Sequence, residues 1–273
     1  MYEDLLTQGY VVIPGYLHSS QLELLRSDHA RDSEFNNLNY RTTTVSRSVF
    51  DQLRPLLIET LRTVRASAGL NVDAPMPSGQ YTDTAHISFG WHQDHEAFYQ
   101  LQQNREYLNF YIPFVKPDPS LSGLSVIPFE DLAAADPSCT ERVINHGAAV
   151  YTSGTVTAVR DDDLGRDYQI NCDLDSLAVH PRLSPGDLLL MRGDLIHRTQ
   201  DNLTQRVAVS IRCTNSSAQI LRARLLQGCD KKLEIMDNNR RVYDHMRQRF
   251  ADLGSDQLSA AVMFDLAETA TAK

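Results

Sequence analysis

Four side chains in this sequence are of the types, and fall in the order, that bind a metal ion and an anion. Two stand together in Trp91-His92-Gln93-Asp94-His95. In an extended segment, residues i and i+2 face the same side. His92 and Asp94 can therefore present an imidazole nitrogen and a carboxylate oxygen to one point. The third is His197. A Pro185-Gly186-Asp187 turn leads into the apolar run Leu188-Leu189-Leu190-Met191, a Gly193-Asp194 turn follows, and His197 ends the next short strand. A hydrophobic core has no need of a histidine there. The fourth is Arg206, at the head of Arg206-Val207-Ala208-Val209-Ser210-Ile211-Arg212. Strand alternation places Val207, Val209 and Ile211 on one face and Arg206, Ala208 and Ser210 on the other. A guanidinium fork beside a hydroxyl suits a carboxylate. Taken singly, each residue has an ordinary structural explanation, as a surface pair, a satisfied histidine or a strand-end arginine in water.

The combination carries more weight. Two nitrogen ligands and one carboxylate on one face of an octahedron leave three positions open, the arrangement of non-haem Fe(II) oxygenases. A chelating co-substrate fills two open positions and O2 the third. If that co-substrate is a dicarboxylate, its far carboxylate needs a cation, and Arg206 follows His197 closely enough to provide one.

The order H-x-D, a distal histidine after a Gly-Asp turn, then an arginine opening the next strand resembles the 2-oxoglutarate-dependent dioxygenases. More narrowly it resembles their phytanoyl-CoA dioxygenase-like branch. The Trp-His-Gln-Asp opening, the Gly123-Leu124-Ser125-Val126-Ile127-Pro128 segment and the N-terminal Gly9-Tyr10-Val11-Val12-Ile13-Pro14-Gly15-Tyr16-Leu17 support that likeness, which runs over about residues 8 to 213. It implies a mainly β fold with flanking helices, a double-stranded β-helix (a cupin-like jelly roll). It implies Fe(II), 2-oxoglutarate and O2 as cofactor and co-substrates. His92, Asp94 and His197 would hold the metal and Arg206 the co-substrate's far carboxylate, with Asn109 and Ser210 as further 2-oxoglutarate contacts. Related halogenases carry a small residue where Asp94 stands, so its carboxylate favours hydroxylation, with desaturation, ring closure and epimerisation as the open alternatives. Pro128-Phe129-Glu130-Asp131 departs from the family's usual Pro-Gly-Ser-His.

Other polar residues border this set. Glu96 shares Asp94's parity and is a candidate to buttress the ligands, whereas His95 points away from Asp94 by alternation. Tyr81, Thr84 and His86 precede the motif and are candidate pocket residues. Arg160 with Asp161-Asp162-Asp163 reads as a solvated loop.

These residues need elements to position them. Residues 9 to 14 read as a short strand stopped by proline. Ser19-Ser20 offers an N-cap for a helix to about residue 30. Leu53, Leu56, Leu57, Leu61 and Val64 recur at helical spacing, giving a helix over 49–66. From about residue 79 the texture turns to short β runs: 107–115, 124–127, 148–159, 168–171, 187–191 and 206–212. After Asn215 helical texture returns to the end, most clearly over 232–250. The expected organisation is one domain over 1–273, with a jelly-roll core at about 79–213.

Composition sets limits. The chain has 273 residues, 42% hydrophobic, with a net charge of −9. This is ordinary globular composition, and the acidity disfavours nucleic acid, an anionic membrane or a CoA thioester as partner. No apolar run is long enough to span a bilayer. A basic-then-apolar leader is absent, so the expected location is cytoplasmic. The four cysteines form no C-x-x-C pair and read as free thiols. The expected function is oxidation, chiefly hydroxylation, of an unactivated C–H bond in a small metabolite or natural-product intermediate, with release of succinate and CO2, by a monomer or homodimer. A cupin-like metal hydrolase or isomerase, or a non-catalytic jelly-roll binding module, is the rival reading.

Overall fold

The computed structural model describes residues 1–31, 43–84, 88–144, 150–153, 156–161, 166–227 and 230–266. The chain opens with a helical turn α1 (Asp4–Thr7), strand β1 (Tyr10–Ile13), helix α2 (Ser19–Arg31), the short β2 (Thr43–Thr44) and helix α3 (Arg47–Ala68). Strands β3 (Ala74–Asp83), β4 (Tyr107–Val115) and β5 (Leu124–Val126) follow. A side hairpin of β6 (Val150–Ser153), β7 (Val156–Asp161) and β8 (Arg166–Gln169) precedes β9 (Leu188–Arg192), β10 (His197–Thr199) and β11 (Val207–Thr214).

Six strands form one antiparallel sheet in the order β1-β9-β4-β11-β3-β2. Its central strands β4 and β9 are buried almost throughout, because both faces are covered. On one face Leu108, Phe110, Ile112, Leu188, Leu190, Val207, Val209 and Ile211 pack against Leu53, Leu57, Leu61 and Val64 of α3. The helix is defined by its sequence: Ser46 caps the start and Gly69, at φ 66°, the end, the position where a left-handed residue favours glycine. The opposite face looks into the barrel, carrying Tyr111, Leu189, Met191 and Ala208. Alternation along β11 thus runs as expected, and Arg206 and Ser210 lie on the interior side.

The second wall of the barrel is short. β10 pairs with β5, His197 opposite Val126. Isolated bridges extend the pair on both sides, from His92 to His197 and from Val126 to Val179. His197 therefore opens its strand rather than ending it.

Several boundaries differ from the sequence reading. The core sheet takes in β1 and β2 and starts β3 at Ala74, ahead of residue 79. The run 148–159 is two strands, paired Ser153 to Val156, since an antiparallel hairpin and one long strand share the same alternation. Arg160 belongs to β7 instead of a loop, while Asp162 and Asp163 lie outside the described residues. The stretch 232–250 is two helices, Asp230–Asn238 and Arg240–Leu253, parted at Asn239, whose φ −120° and ψ 34° are not helical. The C-terminal part also holds a strand pair, β12 (Gln219–Leu221) with β13 (Gln257–Ser259). It packs Tyr243, Met246, Phe250 and Met263 against Phe98, Tyr99, Leu101 and Tyr107. Cys172 and Cys213 are free thiols, and Cys229 lies outside the described residues. No helix among the described residues is long and apolar enough to cross a membrane.

A buried ion pair stiffens the turn between β9 and β10. Arg192 donates from Nε to Asp194 Oδ1 at 3.0 Å and from Nη2 to Oδ2 at 2.5 Å, and both residues are at most 2% exposed. Removing one partner strands a buried charge, which costs about 3–5 kcal/mol. Asp194→Ala is accordingly expected to destabilise the fold by about that amount in urea denaturation. A loss under 1 kcal/mol would show the pair to be incidental.

Candidate metal centre

His92 and Asp94 leave the chain in an extended stretch that forms no regular strand. Only His92 is paired, through its N–H to the His197 carbonyl and the His197 N–H to its own carbonyl, both at 2.9 Å. This double bond sets the two imidazoles side by side, their ring centroids 4.2 Å apart. The extended stretch ends at Asp94, where a π-helical turn, Glu96–Gln100, begins. The π turn carries Ala97 under Gly193. A Cβ on Gly193 would lie 2.6 Å from Ala97 Cβ and 2.7 Å from Tyr107 Cδ1, so only glycine lets the turn before His197 approach the His92–Asp94 segment. Gln93 ties the same two segments, its Nε2 donating to the Asp194 carbonyl at 2.7 Å. On the outer side Trp91 donates to Asp175 at 2.9 Å, and Arg198 pairs with that carboxylate at 2.7 Å.

One ligating atom from each of His92, Asp94 and His197 lies within 4.8 Å of the others. His197 Nε2 is 3.9 Å from Asp94 Oδ1. The Nδ1 atoms of His92 and His197 face the carbonyls of Gly90 and Leu195, at 2.8 and 3.0 Å. A carbonyl only accepts, so both Nδ1 atoms carry the proton and both Nε2 lone pairs are free. Asp94 is held from behind: Asn109 Nδ2 donates to its Oδ2 at 3.1 Å, and Ser210 Oγ donates to Asn109 Oδ1 at 2.7 Å. This is how ligands are oriented around a metal. Closing the set onto one ion at about 2.1 Å needs shifts of about an ångström or less. The donor set fits a hexacoordinate metal with open positions.

Burial first, and His197 second, lower His92 to about 4. Burial also lowers His197 to about 4. Burial raises the Asp94 carboxyl, with Arg212 opposing. The imidazoles are thus neutral and ready to bind at neutral pH.

Arg206 is 1% exposed. Its backbone N–H is fixed by Thr84 Oγ1 at 2.8 Å, and its Nη1 donates to the Tyr111 hydroxyl at 3.1 Å. Its Nε has no hydrogen-bond partner, and no carboxylate pairs with it among the described residues. Such a guanidinium calls for an anion. Thr84 thus holds the Arg206 backbone. Tyr81 instead donates to Asp28 at 2.8 Å, in the layer under α2, and does not line the pocket. His86 lies outside the described residues.

Two neighbours escaped the sequence reading. Tyr111 is on the interior parity of β4 but reads as one more aromatic in an apolar strand. Arg212 shares the parity of Arg206 and Ser210, and is opposite Asn109 in register. Its Nη2 is 3.7 Å from Glu96 Oε1, and His95 Nδ1 is 3.5 Å from Glu96 Oε2. The parity argument for His95 and Glu96 fails because the chain is helical there, which brings both to one cluster.

The family model of phytanoyl-CoA dioxygenase matches residues 5–209. The chain belongs to that family. The family member is a dioxygenase of the 2-oxoglutarate-dependent class. Solved structures share its fold at low identity. EvdO2 from Micromonospora carbonacea var. aurantiaca, complexed with 2-oxoglutarate, is 15% identical with a TM-score of 0.52, covering 78% of this chain and 89% of its own. EctD from S. alaskensis, with 2-oxoglutarate and 5-hydroxyectoine, is 15% identical with a TM-score of 0.53, covering 80% and 76%. The epimerase SnoN, in complex with Fe3+, alpha ketoglutarate and nogalamycin RO, is 13% identical with a TM-score of 0.53, covering 79% and 82%. No curated relative matches the chain.

Metal binding displaces protons from its ligands. With both imidazoles already neutral, the site should release at most one proton per Co(II), from Asp94, between about pH 7.5 and 5.5, whereas ordinary imidazoles near 6.5 would add up to two more. Calorimetric titration in buffers of different ionisation enthalpy counts them. Release approaching two or more near pH 5.5 would contradict the lowered His92 and His197.

Proposed function

We propose that this protein is an Fe(II)- and 2-oxoglutarate-dependent oxygenase, built as one domain over residues 1–273, that hydroxylates a C–H bond of a small molecule and releases succinate and CO2. One observation carries the reading. A three-ligand site with free Nε2 lone pairs shares the barrel interior with a buried guanidinium that no carboxylate of the described chain neutralises. A hydrolase or isomerase on the same three ligands has no use for that guanidinium, and a binding module has no reason to keep the ligand cluster.

In this reading His92, Asp94 and His197 hold the iron, and Arg206 takes the far carboxylate of 2-oxoglutarate. When bound, Fe(II) supplies the redox chemistry that couples O2 and 2-oxoglutarate to oxidation of the substrate. The protein's own residues do the positioning. Gly90 and Leu195 carbonyls fix the tautomers of the two histidines. Asn109, held by Ser210, occupies Asp94 Oδ2, which leaves Oδ1 for a metal; a role for either in contacting 2-oxoglutarate would be additional to this chain of hydrogen bonds. Tyr111 steadies Arg206 by accepting from its Nη1. The buried apolar walls from Leu189, Met191 and Ala208 keep water from the site, which strengthens each charge interaction inside.

Anaerobic addition of Fe(II) and 2-oxoglutarate is expected to give a weak visible charge-transfer band. Asp94→Ala should lose both the band and bound iron. If no band forms and Asp94→Ala retains its metal, the assignment is wrong. Separately, Arg206→Met should weaken 2-oxoglutarate binding by about 30-fold or more, the usual cost of cutting one side of a buried charge pair. Unchanged affinity would place the far carboxylate elsewhere. The reaction itself is checked by succinate release across small-molecule classes, followed by mass spectrometry of the product.

A further inference from the structure

Two guanidiniums lie on the interior side along β11, Arg206 just before its first residue and Arg212 within it, and their surroundings differ. Arg206 has no ion-pair partner among the described residues and sits beside a hydroxyl. Arg212, six residues on, is matched by Glu96, with Nη2 to Oε1 at 3.7 Å. The match is loose. At that distance the two groups attract by charge without forming a hydrogen bond. The Arg212 Nε and the His95 Nε2 are buried and have no hydrogen-bond partner. Buried polar atoms left this way are expensive unless something completes them.

The cluster adjoins the metal centre. Arg212 lies across the β4–β11 ladder from Asn109, whose side chain holds Asp94. Glu96 follows Asp94 by two residues at the start of the π turn. Arg212 and Glu96 remain about one-fifth exposed, at 20% and 23%. Arg206 is closed off at 1%. The first pair is therefore accessible to a visiting molecule, whereas Arg206 is closed off from solvent.

We propose that Arg212, Glu96 and His95 form the polar subsite for the primary substrate, and that this substrate is a neutral, hydroxyl-bearing small molecule. The proposal rests on the oxygenase reading above for the word substrate. An unmatched guanidinium selects an anion; a guanidinium already balanced by a carboxylate does not. What the pair offers is complementary hydrogen bonding, with N–H donors on Arg212 and acceptors on Glu96. Adjacent hydroxyls, each both donor and acceptor, satisfy the two sides at once. An anionic ligand would meet the Glu96 and Asp94 carboxylates. A cationic one would meet Arg212.

The test uses ligand-observed saturation-transfer NMR on the full chain loaded with Fe(II) and 2-oxoglutarate under nitrogen. The probes are methyl glucoside and myo-inositol against the anionic methyl glucuronoside. The neutral polyols should bind and the glucuronoside should bind at least 10-fold more weakly. Arg212→Gln should lower polyol binding at least 10-fold. Glu96→Gln removes the carboxylate that pairs with Arg212 and should reverse the preference in favour of the glucuronoside, a gain that a damaged fold does not produce. No transfer to either polyol, equal binding of all three probes, or a Glu96→Gln variant that still rejects the anion each overturns the proposal. The visible band of the wild-type complex is read on the same sample. A band without polyol binding defeats only the subsite; polyol binding without a band defeats only the oxygenase reading.

Discussion

The two backbone hydrogen bonds between His92 and His197 hold the centre together. They join segments more than a hundred residues apart in the chain, and they do so at the ligands themselves. A metal site needs its donors placed to a few tenths of an ångström, and side-chain packing alone seldom gives that for residues on separate loops. Here the short wall of the barrel grows by one bridge beyond β10, and that bridge fixes both imidazoles. The rest of the structure supports it. The Arg192–Asp194 pair stiffens the turn before His197, Gln93 clamps that turn to the first segment, and Trp91 with Asp175 and Arg198 closes the outside.

The large sheet sets the opposite boundary. Because α2 and α3 cover one face and the barrel interior the other, its middle strands are apolar on both sides. A few interior positions are polar, and the proposed function rests on them. Asn109 and Tyr111 on β4, with Ser210 and Arg212 on β11 and Arg206 just before it, form a line of hydrogen-bonding groups across an otherwise hydrophobic wall. Burying them is costly unless each has a partner. Asn109 and Ser210 find theirs in the Asp94 chain, and Arg206 finds half of its own in Tyr111.

Much of this was legible in the sequence. The H-x-D spacing, the histidine after the Gly-Asp turn and the parity of Arg206 place those residues where the structure has them. Helix α3 and strand β4 follow from periodicity to within two residues. Other features were hidden for physical reasons. The strand that was expected to carry Glu96 ends at Asp94, and nothing in His-Glu-Ala-Phe announces a π turn, so alternation misdirects His95. Arg212 was on the visible parity yet its meaning depends on Glu96, a contact between distant segments. The hairpin 150–161 mimicked one strand because alternation is blind to a reversal of direction. The C-terminal helices carry a strand pair whose partners are nearly forty residues apart, beyond the reach of local pattern.

The missing side chain at Gly193 has an evolutionary corollary. Ala97 and Tyr107 occupy the space a β-carbon there would take, and each comes from a different segment of the chain. Drift at these three sites is therefore coupled. Relatives that keep the glycine are free to hold a ring at 107, and those that lose it must shrink 97 and 107 together or give up the close approach of the two ligand-bearing segments. Aligned homologues should show the three positions changing as a set, with bulk traded among them at constant total volume.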